Sequence, residues 1–184
     1  MKHSKKLAVA VALITTAAAL AGLGYAKSDR GANFERQRPS LVYSDDKVPP
    51  IPRAFYDFNV TEPGTFRDFL WVVDSTYDLL ISKGVAPSRI HFVVSLRGLT
   101  VAYATEGFGQ GDPALEAVGE EIRGYLASLQ AKGVHIEACL ISCQWVGVDP
   151  SSLFTGVEVI DNAFAASIWY QNHKFAVIPV HELP

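Results

Sequence analysis

The chain has 184 residues, with 16 Lys and Arg against 19 Asp and Glu, and a formal net charge of −3. A mildly acidic chain without basic clusters is a poor candidate for binding nucleic acid or anionic lipid. Its length suits one domain with a proper core, and its two cysteines allow only one intramolecular pairing.

Lys2, Lys5 and Lys6 precede an apolar stretch over residues 7–23, followed by the small-residue run Gly22-Leu23-Gly24-Tyr25-Ala26. That is the layout of a secretory signal peptide, with cleavage expected after Ala26 and a second possible site at Ala19-Leu20-Ala21. The competing reading is an uncleaved membrane anchor, because the run approaches the ~20 residues of a spanning helix. Its many alanines, with Thr15 and Thr16, weaken that reading. Removing 26 of the 184 residues leaves 158, and the three lysines lost with them take the formal charge from −3 to −6. The expected destination is periplasmic or secreted, an oxidising environment for the cysteines.

Residues 27–53 are polar and contain Pro39, Pro49, Pro50 and Pro52, so they read as an extended arm, with Leu41-Val42-Tyr43 as a possible edge strand. The folded domain is expected over 54–184. Residues 54–60 read as an aromatic strand. The stripe Phe66, Phe69, Leu70, Val73, Tyr77, Leu80 and Ile81 predicts a helix over 65–83, with Gly84 just past its end. Residues 89–95 form an apolar, β-branched run of the kind buried on both faces of a parallel sheet. A short helix over 96–104 and the loop Gly107-Phe108-Gly109-Gln110-Gly111 follow.

Asp112 reads as a cap and Pro113 as the first residue of a second long helix, with a stripe at Leu115, Val118, Ile122, Leu126 and Leu129 ending at Gly133. Strands at 134–140, 157–160 and 175–180 and a helix at 163–171 complete the chain. Alternating strands and helices of these lengths define an α/β fold with a mostly parallel sheet of about five strands and helices on both faces.

Cys139 falls where the strand over 134–140 ends, the rim at which α/β proteins gather ligands and reactive groups. The chemical reading makes Cys139 a nucleophilic thiolate, with Cys143 as its partner or resolving thiol. Against it stands the tendency of free cysteine to pack as a small buried hydrophobe. A Cys139–Cys143 disulfide stays open. A metal site using His135, Cys139 and Cys143 is set aside, because strand residues four apart lie roughly 13 Å from each other.

Arg97-Gly98 follows the preceding strand and belongs on the same rim, where the guanidinium could hold an anionic sulfur species; the plainer reading is an exposed arginine before a turn. The glycine loop is a connection, or else a lid over the site, and its spacing is not a dinucleotide fingerprint. No Gly-x-Ser-x-Gly elbow and no phosphate loop is present, so no cofactor is expected. Asp149-Pro150-Ser151-Ser152 reads as a turn or helix start. Trp145 and Trp169 read as core or interface residues, and His173 as a solvated helix end.

The helix ending in Lys132-Gly133, the run Val134-His135-Ile136-Glu137-Ala138-Cys139, then Val146-Gly147-Val148-Asp149, Gly156 through Ile160, Ile168-Trp169-Tyr170-Gln171 and Phe175 through Ile178 together resemble the DsrE/DsrF-like family of small sulfur-relay proteins. The resemblance extends over residues 58–180. It implies a three-layer α/β/α domain, a persulfide carried on Cys139, a thiol or sulfur-carrying partner and assembly into homo-oligomers. It implies no role for Cys143. Many members carry His-Gly where this chain has Arg97-Gly98, and the signal-like N-terminus departs from the cytoplasmic relay proteins, whose tRNA-modification partners therefore do not carry over.

Overall fold

The computed structural model describes residues 48–182. The signal-like segment, most of the expected arm and its strand at 41–43 lie outside the described residues.

The sheet is built from β1 (Arg53–Phe58), β2 (His91–Leu96), β3 (His135–Cys139), β4 (Glu158–Ile160) and β5 (Ala176–Val180). All four pairings are parallel and the strand order is β4-β3-β2-β1-β5. The helices are α1 (Pro63–Ser82), α2 (Thr100–Tyr103), α3 (Glu116–Ala131), α4 (Leu140–Val146) and α5 (Ala163–Asn172). The chain winds outward from β1 to β4, then returns through α5 to add β5 on the far side of β1. Parallel neighbours need such crossovers, and the reversal at β4 sends α5 to the face opposite α1 and α3.

The inner strands are buried on both faces, β2 from Phe92 through Leu96 and β3 from Ile136 through Cys139. On one face, under α1 and α3, Tyr56 of β1 meets Phe92, which in turn meets Tyr77, and Phe58 meets Phe66, all ring to ring. Most of each predicted stripe is buried, Phe66, Leu70, Val73, Tyr77 and Leu80 on α1 and Val118, Ile122, Leu126 and Leu129 on α3, while Phe69 and Leu115 are half-buried and Ile81 is exposed. Lys132 ties the two helices, its Nζ 2.9 Å from Asp74 and 2.7 Å from Asp78. On the other face Phe55 packs on Tyr170 of α5, ring centroids 4.9 Å apart.

Several expectations need correction. The second long helix begins at Glu116, not Pro113, because Asp112 accepts the Ala114 amide at 2.9 Å and makes a local turn. The apolar run after β3 is not extended: Leu140 opens α4. The glycine loop is pinned to α3 rather than hung over the rim. Arg123 donates to the Phe108 carbonyl at 2.8 Å, and a Cβ at Gly119 would lie 2.3 Å from that same oxygen. Of the two readings of Trp145 and Trp169, core or interface, the core one fails, because they are 83% and 54% exposed. His173 is, as expected, the exposed residue at the C-terminal end of α5, and its ring stacks on Trp169 with centroids 3.8 Å apart. Among the described residues no helix is long and apolar enough to cross a membrane.

Candidate functional site

Cys139 is the last residue of β3 and the residue before α4, on the sheet face that α5 covers. Its side chain is 4% exposed, and its Sγ accepts a hydrogen bond from the Ala163 amide, the first residue of α5, at 3.5 Å. Asn162 caps the same helix: its Oδ1 accepts from Phe164 N at 2.8 Å and Ala165 N at 3.3 Å. The amide of Ala163 is thus left for the sulfur. Burial pushes the Cys139 thiol up, but the amides of Ala163, Ser142 and Ile141 and the Ser142 hydroxyl outweigh it and leave the thiol below its ordinary value. These are the donors that favour a thiolate.

Ser142 was not singled out in the sequence. Its Oγ accepts the Gly98 amide at 3.0 Å, which turns its own proton away from Gly98 and leaves it free to serve the sulfur. Gly98 has φ +61°, a left-handed conformation that favours glycine, and from it the amide reaches Ser142, just past the end of the neighbouring strand β3. Gly98 therefore does sit on the rim with Cys139, as a backbone donor to a neighbour.

Arg97 is on that rim too, but its guanidinium is engaged. Nε lies 2.6 Å from Asp57 Oδ1 and Nη2 3.0 Å from Oδ2, and the group stacks over Phe164 at 5.2 Å. A fork already closed on a carboxylate has little charge left for an anion.

Cys143 points the other way. It is fully buried in the core with α1 and α3, and both cysteines are free thiols. Burial, then the nearby Cys139, raises its thiol. The structure thus separates the two cysteines into a core thiol and a rim thiol.

Below Cys139 on the same face runs a polar row that strand register brings side by side: Asp57, Ser95, Glu137 and Glu158. Glu137 is 2% exposed and accepts Tyr170 Oη at 3.1 Å, with His135 Nε2 at 3.5 Å from the same oxygen. The signal for it was present in the sequence: one carboxylate between the apolar Ile136 and Ala138, two residues before the cysteine. Among the described residues no three His, Cys, Asp or Glu side chains are grouped so as to hold a metal ion. A cavity of about 220 Å³ lined by Arg53, His91, Trp169, His173 and Phe175 opens at the opposite, N-terminal end of the strands, away from the thiol.

An all-parallel five-stranded sheet with helices on both sides defines an α/β protein, and its fold matches that of DsrE-like solved structures. Two solved structures of DsrE/TusD-like fold share it. One is the protein of unknown function MTH1491 from Methanobacterium thermoautotrophicum, with TM-score 0.50 and 17% identity over 68% of this chain and 98% of that one. The other is ychN protein from E. coli, with TM-score 0.51 and 15% identity over 71% of this chain and 99% of that one. At these identities the likeness is one of fold. No family model matches the chain, and no curated protein matches it.

Proposed function

We propose that this is an exported DsrE-like protein that handles sulfur through Cys139. The observation that carries the reading is the Cys139 sulfur held against the first amide of α5, with Ser142 oriented beside it by the Gly98 amide. The transfer is redox-neutral. The Cys139 thiolate attacks the outer sulfur of a persulfide donor, a new S–S bond forms on Cys139, and the donor's S–S bond breaks with its inner sulfur leaving as a thiolate. Reversing the step onto an acceptor thiolate discharges the carrier. Cys143, in the core, takes no part.

The test is intact-protein mass spectrometry after incubation with a small-molecule persulfide, with and without reductant. One added sulfur atom, removable by reductant and absent from Cys139→Ser, is the expected result. A Cys139 that stays unmodified in the folded protein while reacting freely after unfolding would sink the proposal. Export predicts that the mature chain, recovered from the producing cell, begins at Lys27.

The same reading includes self-association, for which α5 offers a surface. Phe164, Ile168 and Trp169 are 65%, 63% and 54% exposed, and the helix carries no charged residue. An apolar, uncharged helix face suits pairing with its own copy across a two-fold axis.

A further inference from the structure

The cavity of about 220 Å³ at the N-terminal end of the strands lies away from the thiol, and the sulfur reading leaves it without a role. Strand register builds it. Arg53 opens β1 and is the partner of His91, which opens β2. Phe175 stands one residue before Ala176, whose partner on β1 is Ala54, so it lies level with Arg53 on the other side. Level residues of parallel strands share a face. Here it is the face of Phe55, two residues beyond Arg53, which α5 covers. The last turn of α5 supplies Trp169, and His173 follows just past its end.

These walls are tied to one another. The His91 amide donates to the Pro52 carbonyl at 2.9 Å, which locks the starts of β1 and β2 together. Arg53 Nη1 donates to the His173 carbonyl at 3.0 Å, and its guanidinium lies 6.0 Å from the centre of the Phe175 ring. His173 Nδ1 lies 2.7 Å from the Trp169 carbonyl, and its ring stacks on the indole at 3.8 Å. A carbonyl only accepts, so Nδ1 carries the proton of that bond and Nε2 is the ring nitrogen left for another partner. The groups are thus held in place by the fold, which lowers the cost of ordering them around a ligand.

The plainer reading of Arg53 is a cap on the end of α5, a common use of arginine at a helix C-terminus. That contact takes one of the five N–H groups of the guanidinium. Arg67 and Arg97 are closed on Glu121 and Asp57, whereas Arg53 meets no carboxylate among the described residues. None of the five lining residues is acidic, and neither is any residue adjacent to them in the chain. Lys174 stands between His173 and Phe175. In a chain with 19 acidic against 16 basic residues, this end of the sheet is a local surplus of cations and donors.

The size and lining of the cavity name the ligand class. Its volume falls below the roughly 300–1,000 Å³ of pockets for drug-sized ligands, so the occupant is compact. The fork of a guanidinium matches the two oxygens of a carboxylate. The rings of Trp169 and Phe175 match a flat, unsaturated body. We propose that this cavity binds a small aromatic monocarboxylate, with its carboxylate on Arg53 and its ring against Trp169 and Phe175. His91 and His173 are the further polar groups of the site. The inference stands apart from the sulfur reading, since none of these residues touches Cys139.

The test is an NMR titration of the 15N-labelled protein with benzoate, read at the indole N–H signals of its three tryptophans. The molecule carries its own controls, because Trp145 belongs to α4 at the opposite rim and Trp71 to α1 on the opposite face of the sheet. A saturable shift at Trp169, without one at Trp71 or Trp145, is the expected result. Benzamide keeps the ring without the charge, and acetate keeps the charge without the ring. Each should bind at least ~10-fold more weakly than benzoate. Arg53→Gln should weaken benzoate by at least ~10-fold, the loss of a charge-assisted hydrogen bond. No saturable shift at Trp169, or equal shifts at all three indoles, overturns the proposal. So does benzamide or acetate binding as tightly as benzoate, or an affinity unchanged in Arg53→Gln. The two analogue comparisons use the wild-type protein, so they decide the matter even if Arg53→Gln fails to fold.

Discussion

Ser142 shows how a single hydroxyl is given a direction. Because its oxygen accepts the Gly98 amide at 3.0 Å, its proton has to look elsewhere, and it lowers the Cys139 thiol. Ser142→Ala should therefore raise the pH at which Cys139 alkylation reaches half its limiting rate. A hydrogen bond to a charged partner contributes about 1.5 kcal/mol or more, so the rate at neutral pH should fall by about ten-fold. An unaltered pH–rate profile would show that the serine does not serve the sulfur. His135 gives a second, thermodynamic handle. Its bond to Glu137 raises its folded-state value, against the opposing effect of burial, and the charges of Glu137 and Glu158 add to the rise. A raised histidine stabilises the fold fully below its unfolded value of about 6.5 and loses that contribution as pH climbs through the folded value. His135→Gln should thus cost more stability at mildly acidic than at alkaline pH, by less than about 1 kcal/mol because the ring is part-exposed. Urea unfolding at several pH values checks this; a pH-independent difference, or one growing toward alkaline pH, contradicts it.

At the level of elements, most of the architecture could be read from periodicity, and the failures have physical causes. The helical stripes of α1 and α3 and the apolar run of β2 are strong patterns because each element buries one face, or both, against the same core. Leu140 through Val146 defeated that reading, since Leu140-Ile141 continue the apolar run of β3 and a seven-residue helix shows barely two turns of period. With α4 missed, Ser142 had no place at the rim. The packing of α4 and α5 decides which indoles the core takes: Trp145 and Trp169 lie exposed, which removes the core reading and leaves the interface one. Cys139 and Gly98 were placed on one rim correctly because parallel strands put all their carboxyl ends together. What could not be read was that Asp57, forty residues upstream of Arg97, would close on it.

The start of α5 joins helix stability to the thiol. Asn162 satisfies the second and third amides and leaves the first to Cys139. Asn162→Ala should cost about 1 kcal/mol, typical for a lost cap, measurable by chemical denaturation. It should also slow Cys139 alkylation under native conditions, because a frayed first turn no longer holds Ala163 N against the sulfur. A stability loss without any change in thiol reactivity would mean that the Ala163 contact does not matter for the thiolate.

For the whole molecule, the asymmetry of the two sheet faces matters most. One face lies under two long helices, while the other has α5, whose own outer surface remains apolar. Phe164, Ile168 and Trp169 fall at positions i, i+4 and i+5, on neighbouring turns of one side. In an isologous pairing of α5 against its own copy each substitution enters twice, so a charge at the centre acts on both partners. Ile168→Asp should therefore shift the protein to monomer in sedimentation velocity while leaving its far-UV circular dichroism unchanged, since Ile168 is 63% exposed and contributes little to the core. The same change should bear on the site. Phe164, one residue from the Ala163 amide, stacks under the Arg97 guanidinium beside Cys139. A partner seated on α5 would then cover the approach to a thiol that is already only 4% exposed. Dissociation by Ile168→Asp should accordingly speed alkylation of Cys139 by a bulky maleimide more than by iodoacetamide, because only the larger reagent senses the covered rim. A wild-type chain that sediments as a monomer removes α5 as an association surface, and equal acceleration by both reagents would place the pairing away from the thiol.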